Sequence, residues 1–302
     1  MPKILVFFAL IVLMASCHDG RHPAPGVVKG YHFRFNPSDS SRYQYHTTSE
    51  IEINVAEGAT TYRVQSTWQF TVDYLITKDS DEFVFEMTFD TIDYHGRDSR
   101  TGEADAADAA PIPDLLKQMK TSTIFGRVRP SNQMITLGWT YAVIDPVMDA
   151  YYREADRTKA RDYWGHWVQD KLVWKNLDPL AWVKFDSAAH PDNHWADSIT
   201  NEREMYFKIY KRLWFEKLDS AVATFRSHGR IGTGPEGTSL LGEPAKGSVE
   251  GIEGGKCLVD TATGLPLALA DTIVAEGNLL VAGRKSRVKF VELVHVTGGK
   301  VN

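Results

Sequence analysis

Residues 62–76 read YRVQSTWQFTVDYLI, and this stretch decides the fold because its apolar and polar residues alternate. The apolar side chains of one face occupy even-numbered positions: Tyr62, Val64, Trp68, Phe70, Val72, Tyr74 and Ile76. A period of two, sustained over 15 residues, predicts one strand of about 50 Å at roughly 3.3 Å per residue. One face of this strand must be buried and the other wet, as in an antiparallel sheet.

The neighbouring segments continue the pattern. Residues 51–55 alternate in the same way, and the turn residues 77–81 lead into a second alternating run. The sequence therefore predicts a long antiparallel hairpin made of residues 62–76 and 82–94. Further strands are predicted at 121–128, 133–139 and 288–296, whereas 98–113 and the glycine-rich 229–255 are predicted to be loops.

The period changes after residue 144, where apolar residues recur at helical spacing up to residue 172. Asp145 and Pro146 suit the first turn of a helix, and the polar residues 156–159 predict a division into two helices. Residues 203–233 fit both periods, and we interpret them as two strands that break near Asp219. The predicted fold is mainly β (α+β): a long-stranded curved antiparallel sheet or half-barrel with a helical segment packed on it.

Composition limits the function classes. The chain has 302 residues, 43% apolar and 24% charged residues, and a formal net charge of −5. These values indicate a globular protein, and the acidic balance argues against a nucleic-acid partner.

The N-terminal residues 1–17 read MPKILVFFALIVLMASC, with Lys3 ahead of 11 consecutive apolar residues. An apolar run of this length suits a secretory signal and is too short to span a bilayer. Met14-Ala15-Ser16-Cys17 resembles the bacterial lipobox, which implies cleavage before Cys17 and acylation of that residue. The alternative interpretation is an ordinary buried segment followed by a chance cysteine. An acylated Cys17 would anchor the protein to a membrane, since two or three acyl chains hold stably.

The predicted organisation has three parts. Residues 1–16 form the signal peptide, 17–30 the lipidated cysteine and a polar tether, and 31–302 a single β-rich domain with a helical, tryptophan-rich insertion at about 140–200. Cys257 is the other cysteine of the chain, and its strand-like surroundings predict a buried, unreactive thiol rather than a nucleophile.

The order of these features resembles an uncharacterised Bacteroidota family of cell-envelope lipoproteins, a domain of unknown function. The resemblance lies in the lipobox, Tyr43-Gln44-Tyr45, the long hairpin and the closing Gly255-Lys256…Gly264-Leu265-Pro266. The layout is also similar to the LolA-like and LppX-like carriers, in which a curved sheet wraps a helix and can hold lipid. The resemblance implies a place in the cell envelope and supplies no catalytic residues. Residues 18–22 lack the acidic cluster that resembles a surface-export signal, so we expect an outer-membrane anchor facing the periplasm.

Catalytic and metal motifs give no site. Gly232–Gly237 matches a dinucleotide-binding pattern by letter, but Pro235 and Pro244 prevent the helix that the pattern requires. His190 and His194 flank Pro191 in a polar stretch without a nearby third metal ligand. We therefore predict no catalytic residues, no bound metal and no cofactor, and lean towards a protein that is not an enzyme.

Tryptophans are concentrated in one region: Trp164, Trp167, Trp174, Trp182 and Trp195 lie within 32 residues. They suit core packing against the sheet, or a cavity for lipid or sugar. We weigh three functions: a binding module for an apolar or amphipathic small molecule or lipid, a structural module that contacts another envelope protein or glycan, and a hydrolase of envelope material. The first predicts an apolar cavity bounded by aromatic side chains, namely Trp68, Phe70, Phe85, Tyr151, Trp164 and Trp167.

Overall fold

A computed structural model describes residues 30–100, 110–138, 143–183, 185, 194–201, 204–234, 237–241 and 243–301. The chain divides into two units, Met1–Tyr31 and His32–Asn302, and the second contains all elements named below. Cys17 and the predicted signal and tether up to residue 29 lie outside the described residues, as do His190, Pro191 and Pro235.

The described strands form one open, curved antiparallel sheet, as the alternating pattern predicts. They are β1 Ser41–Glu57, β2 Thr60–Asp79, β3 Glu82–Asp98, β4 Thr123–Val128, β5 Met134–Gly138, β6 His194–Asn201, β7 Phe207–Asp219, β8 Val222–Gly232, β9 Thr238–Leu240, β10 Glu243–Asp260, β11 Pro266–Val281 and β12 Arg284–Lys300. Their order across the sheet is β5-β4-β3-β2-β1-β12-β11-β10-β8-β7-β6, and the short β9 pairs with β10. The mainly β fold predicted from the sequence is thus confirmed.

The first and last strands lie side by side in the middle of the sheet, with Ile51 opposite Glu292. The predicted hairpin is present and longer than expected, because β2 and β3 pair from Asp79 and Glu82 as far as Val64 and Asp98. The ambiguous segment 203–233 contains two strands, β7 and β8, with the turn after Asp219.

The helical segment consists of four consecutive pieces. They are α2 Asp145–Tyr151, α3 Glu154–Val168, a π-helix Gln169–Trp174 and α4 Lys175–Leu180, while the earlier helix α1 is Ile112–Lys120. The helices break at Tyr152 and Arg153, so the predicted division at 156–159 is wrong. The π-helix turns successive residues toward the sheet, and Leu172, Val173, Lys175 and Asn176 are all buried. Among the described residues, no helix is long and apolar enough to cross a membrane.

Two predicted loops are partly wrong. Residues 112–113 begin α1, and most of the glycine-rich region belongs to strands β8, β9 and β10. Glycine is tolerated in a strand where another group approaches the backbone closely. An added Cβ at Gly255 would lie 2.7 Å from Ser227 Oγ and 2.8 Å from Trp182 Cζ2. Gly255 therefore marks a crowded position of the sheet rather than a turn.

The inner face of the sheet carries the core. Trp68 is 2% exposed and lies between aromatic rings, with centroid distances of 4.1 Å to Tyr94, 5.7 Å to Phe70 and 5.8 Å to Trp167. The last of these contacts joins the sheet to α3, so the ring connects the two layers of the domain.

We expect Trp68→Ala to lower the free energy of unfolding by about 3–5 kcal/mol, because it removes a large buried ring and leaves a cavity. Urea unfolding followed by circular dichroism measures the loss. Ile252→Ala on the outer face, where Ile252 is 57% exposed, is the control and should cost less than about 1 kcal/mol. Equal costs for the two variants would contradict a dry aromatic core at Trp68.

Candidate functional site

The predicted aromatic site is only partly assembled. Trp68, Phe70, Trp164 and Trp167 lie together: Trp164 and Trp167 are 5.6 Å apart, and Trp164 Nε1 donates a hydrogen bond to the Tyr152 hydroxyl at 2.7 Å. These rings pack on one another, which is the core-packing interpretation of the tryptophans. Ligand binding by this cluster stays a prediction.

The other two predicted residues lie elsewhere. Phe85 is buried opposite Ile76 in the hairpin, against the Tyr74 ring at 6.2 Å. Tyr151 is 45% exposed, and its hydroxyl donates to Asp114 Oδ2 at 2.6 Å, which links α2 to α1. The six residues therefore do not surround one common cavity.

A different part of the inner face carries charged residues. The register places Glu292, Glu253, Lys211 and Asp197 in a single row across β12, β10, β7 and β6, and Asp271 lies one row away on β11. Glu292, Glu253 and Lys211 are each at most 5% exposed. Charged side chains are rarely this buried unless they are paired or serve a ligand.

These groups line a cavity of about 380 Å³, which we call the inner cavity. Helix α4 covers it with Lys175, Asp178 and Pro179, and the neighbouring Trp182 forms part of its wall. Its apolar lining comes from the sheet and includes Ile199, Ile209, Leu269, Ile273 and Val294. Ser198 and Thr200 of the edge strand β6 are lining residues and solvent-exposed, so the cavity opens at this edge.

One side of the inner cavity is a buried ion pair that is supported by hydrogen bonds. Lys175 Nζ lies 3.0 Å from Glu292 Oε1 and 2.5 Å from Ser49 Oγ, and the Ser49 hydroxyl donates to the same Glu292 oxygen at 3.1 Å. Lys175 and Glu292 are almost completely buried. A buried pair of this kind needs such extra hydrogen bonds to offset its desolvation.

The other side contains two adjacent carboxyl groups. Ser227 donates to Glu253 Oε1 at 2.5 Å, while Glu253 Oε2 and Asp271 Oδ1 are buried without a hydrogen-bond partner among the described residues. Burial, followed by the proximity of Glu253, raises the pKa of Asp271 to about 8. At neutral pH the Asp271 carboxyl group is therefore protonated, because burial and the neighbouring carboxyl group disfavour its ionised form.

Two hydrogen-bond donors of the inner cavity have no acceptor among the described residues. The Lys211 ammonium lies over the Trp182 ring, 5.3 Å from its centroid, and the structure gives it no hydrogen bond or ion pair. Trp182 Nε1 is buried without an acceptor. The cavity therefore offers a cation, an indole N–H and a protonated carboxyl group next to apolar walls.

Gly229 makes room for this arrangement. An added Cβ there would lie 2.9 Å from Glu253 Oε2, 3.0 Å from Ile209 Cγ2 and 3.2 Å from Lys211 Cβ. Since Gly229 separates Glu253 from Lys211 in the row, a larger residue would push both charged side chains away from the cavity floor.

Other residues singled out in the sequence have no place in this chemistry. Burial raises the pKa of the Cys257 thiol to about 12, which confirms an unreactive, buried cysteine. His194 begins β6, with its ring 5.7 Å from that of Trp214. Within the described ranges, no three His, Cys, Asp or Glu side chains are placed to hold a metal ion.

Comparison with known proteins identifies no family. No family model and no curated protein matches the chain. Among solved structures, a lipovitellin structure on lipid–protein interactions matches with 6% identity and a TM-score of 0.46, over 88% of this chain and 25% of the other. An outer membrane channel from Pseudomonas putida F1 matches with 5% identity and a TM-score of 0.22, over 91% and 99%. A DUF1329 family protein from Desulfovibrio piger matches with 9% identity and a TM-score of 0.15, over 86% and 85%.

This chain therefore spans about a quarter of the lipovitellin chain. At these identities and TM-scores, none of the three matches carries an argument about the family or the function.

We expect Gly229→Ala to destabilise the protein by about 1–3 kcal/mol, because the new methyl group overpacks the cavity floor. Gly232→Ala is the matched control on the same strand, since a Cβ there meets nothing within 4 Å. Urea unfolding should leave the control within about 0.5 kcal/mol of the parent protein. Equal effects of the two substitutions would contradict the crowded floor.

The raised pKa of Asp271 predicts a pH dependence of stability. A carboxyl group whose pKa is higher in the folded than in the unfolded protein stabilises the fold at low pH, and this contribution is lost as the pH rises toward about 8. Asp271→Asn cannot ionise, and its amide can donate to Glu253 as the protonated acid does. We therefore expect this variant to gain stability relative to the parent protein between pH 5 and pH 9, as measured by thermal unfolding. Parallel pH profiles would contradict the assignment.

Proposed function

We propose that the protein is a cell-envelope lipoprotein, anchored through Cys17, that binds a small amphipathic carboxylic acid in the inner cavity. The observation that carries the proposal is Lys211: its buried ammonium group makes no hydrogen bond or ion pair with a described residue, and it faces a cavity. An ion is costly to bury unless it is paired, so a ligand anion would complete the site.

The donors around Lys211 suit a carboxylate. The ammonium would supply the charge, and Trp182 Nε1 and the protonated Asp271 would supply further hydrogen bonds to the ligand oxygens. The pair formed by Lys175 and Glu292 is already balanced, so it leaves the positive charge of Lys211 for the ligand.

The walls suit an apolar chain. Ile209, Leu269, Ile273 and Val294 line the same space, and about 380 Å³ lies within the range of small-molecule sites. An open end at the β6 edge would let the ligand enter without unfolding of the sheet. The combination of an anchor, an apolar wall and a charged floor supports a carrier or receptor for an amphipathic molecule.

Asp271 keeps a hydrolase as the second candidate, because a buried carboxyl group with a raised pKa beside a second carboxyl group can act as a general acid. Asp271→Asn distinguishes the candidates. The variant should still bind its ligand in both cases, and only an enzyme would also lose turnover.

The test compares two chemically matched ligands, decanoate and decanol, by calorimetric titration of residues 32–302, the unit that contains the sheet and helices. We expect decanoate to bind more tightly, and Lys211→Met to weaken decanoate binding about tenfold or more while decanol binding changes little.

Lys256→Met, at an exposed position of β10, is the control and should bind both ligands as the parent protein does. Equal affinity for decanoate and decanol, or an unchanged affinity in Lys211→Met, would contradict the proposal.

A further inference from the structure

The outer face of the sheet carries a second, separate groove on the strands that lie above the inner cavity. It has a volume of about 400 Å³ and is lined by Tyr210, Arg212, His228 and Arg230. We call these four residues the outer quartet. The register sets Tyr210 opposite Arg230 and Arg212 opposite His228, so the four side chains occupy the corners of one square on β7 and β8.

The positions on either side of the outer quartet have small side chains or none. Ala196 on β6 and Gly254 on β10 continue the row that contains Arg212 and His228, and a Cβ added at Gly254 would meet nothing within 4 Å. The long side chains of the quartet therefore surround a shallow floor that a ligand can reach. All four are solvent-exposed, and Tyr210 is 53% exposed.

The positive charge of the quartet is not neutralised by an ion pair with any described residue. The structure gives neither Arg212 nor Arg230 an ion pair with a described residue, and Lys208 Nζ adds another cation 5.4 Å from the centroid of the Tyr210 ring. The neighbouring Arg226 differs, because its Nε lies 2.8 Å from Glu216 Oε1. Such a concentration of cations is local in a chain whose formal net charge is −5.

We propose that the outer quartet binds a phosphoryl group. The two guanidinium groups that line this groove offer more N–H donors than a single carboxylate can accept. A phosphoryl group presents three oxygens, and each guanidinium group can donate two parallel hydrogen bonds to them. His228 and the Tyr210 hydroxyl supply further polar contacts at the same point. The ligand is a phosphate ester, either free or as the headgroup of a lipid, and its site is independent of the inner cavity on the opposite face.

The experiment uses the full chain in a non-ionic detergent. Inorganic phosphate and a hexose 6-phosphate are titrated calorimetrically, and phosphatidic acid is mixed into the micelles and followed by tryptophan fluorescence. We expect saturable binding of at least one of the three probes. Binding of the soluble probes identifies a free phosphate ester, and binding of phosphatidic acid alone identifies a lipid headgroup.

The variants locate the site. Arg212→Ala combined with Arg230→Ala should weaken binding of the bound probe at least about tenfold, while Arg226→Ala should stay within about twofold of the parent protein. Arg212→Lys combined with Arg230→Lys keeps the positive charge but cannot form bidentate hydrogen bonds, so it should bind with an intermediate affinity. The absence of saturable binding for all three probes, or unchanged binding in either double variant, would overturn the proposal.

Discussion

The buried contact among Lys175, Ser49 and Glu292 determines where the helical segment lies on the sheet. It joins the start of α4 to the two central strands, β1 and β12, and its charges are almost entirely removed from water. A misplaced helix would leave Glu292 buried without its cation, at a cost of about 3–5 kcal/mol. The π-helix just before Lys175 gives the backbone the turn that points this residue into the sheet. The position of the inner cavity follows from this contact, because α4 forms its roof.

The inner face of the sheet is thereby divided by function. Around Trp68 and Trp167 the space between sheet and helices is filled by packed aromatic rings, which stabilise the domain. Around Lys211 and Asp271 the same face holds ionisable groups whose burial lowers stability unless something pairs with them. Such a locally unfavourable arrangement inside an otherwise well-packed protein is typical of a functional site.

The sequence was sufficient to predict the sheet, and Trp68 shows why. It occupies one of the apolar positions in an alternation of 15 residues, and such an alternation fits a strand with one buried face. Tyr151 of the predicted aromatic site lies apart from the tryptophan cluster for the opposite reason. Period and residue type place Tyr151 on an apolar helical stripe, but its hydroxyl contacts Asp114 of another helix, and no local pattern encodes that contact.

The buried charged residues of the inner cavity can be recognised from their neighbours in the sequence. Lys211 lies between Ile209 and Leu213, and Glu292 lies between Phe290 and Val294, each at the inward parity of an apolar strand. A charge at such a position marks a buried polar site. The register across five strands brings Lys211, Glu253 and Glu292 into one row, and a local pattern does not encode that register. The outer quartet, on the opposite face, depends on the pairing of β7 with β8 in the same way.

The most direct test of the central claim is native mass spectrometry of the full chain released from the membrane of the cells that produce it. If Lys211 holds an amphipathic acid, the parent protein and Lys256→Met should carry the same bound small molecule, and Lys211→Met should carry little or none of it. A parent protein that has only the mass of its lipidated chain, or a bound molecule that survives in Lys211→Met, would contradict the account.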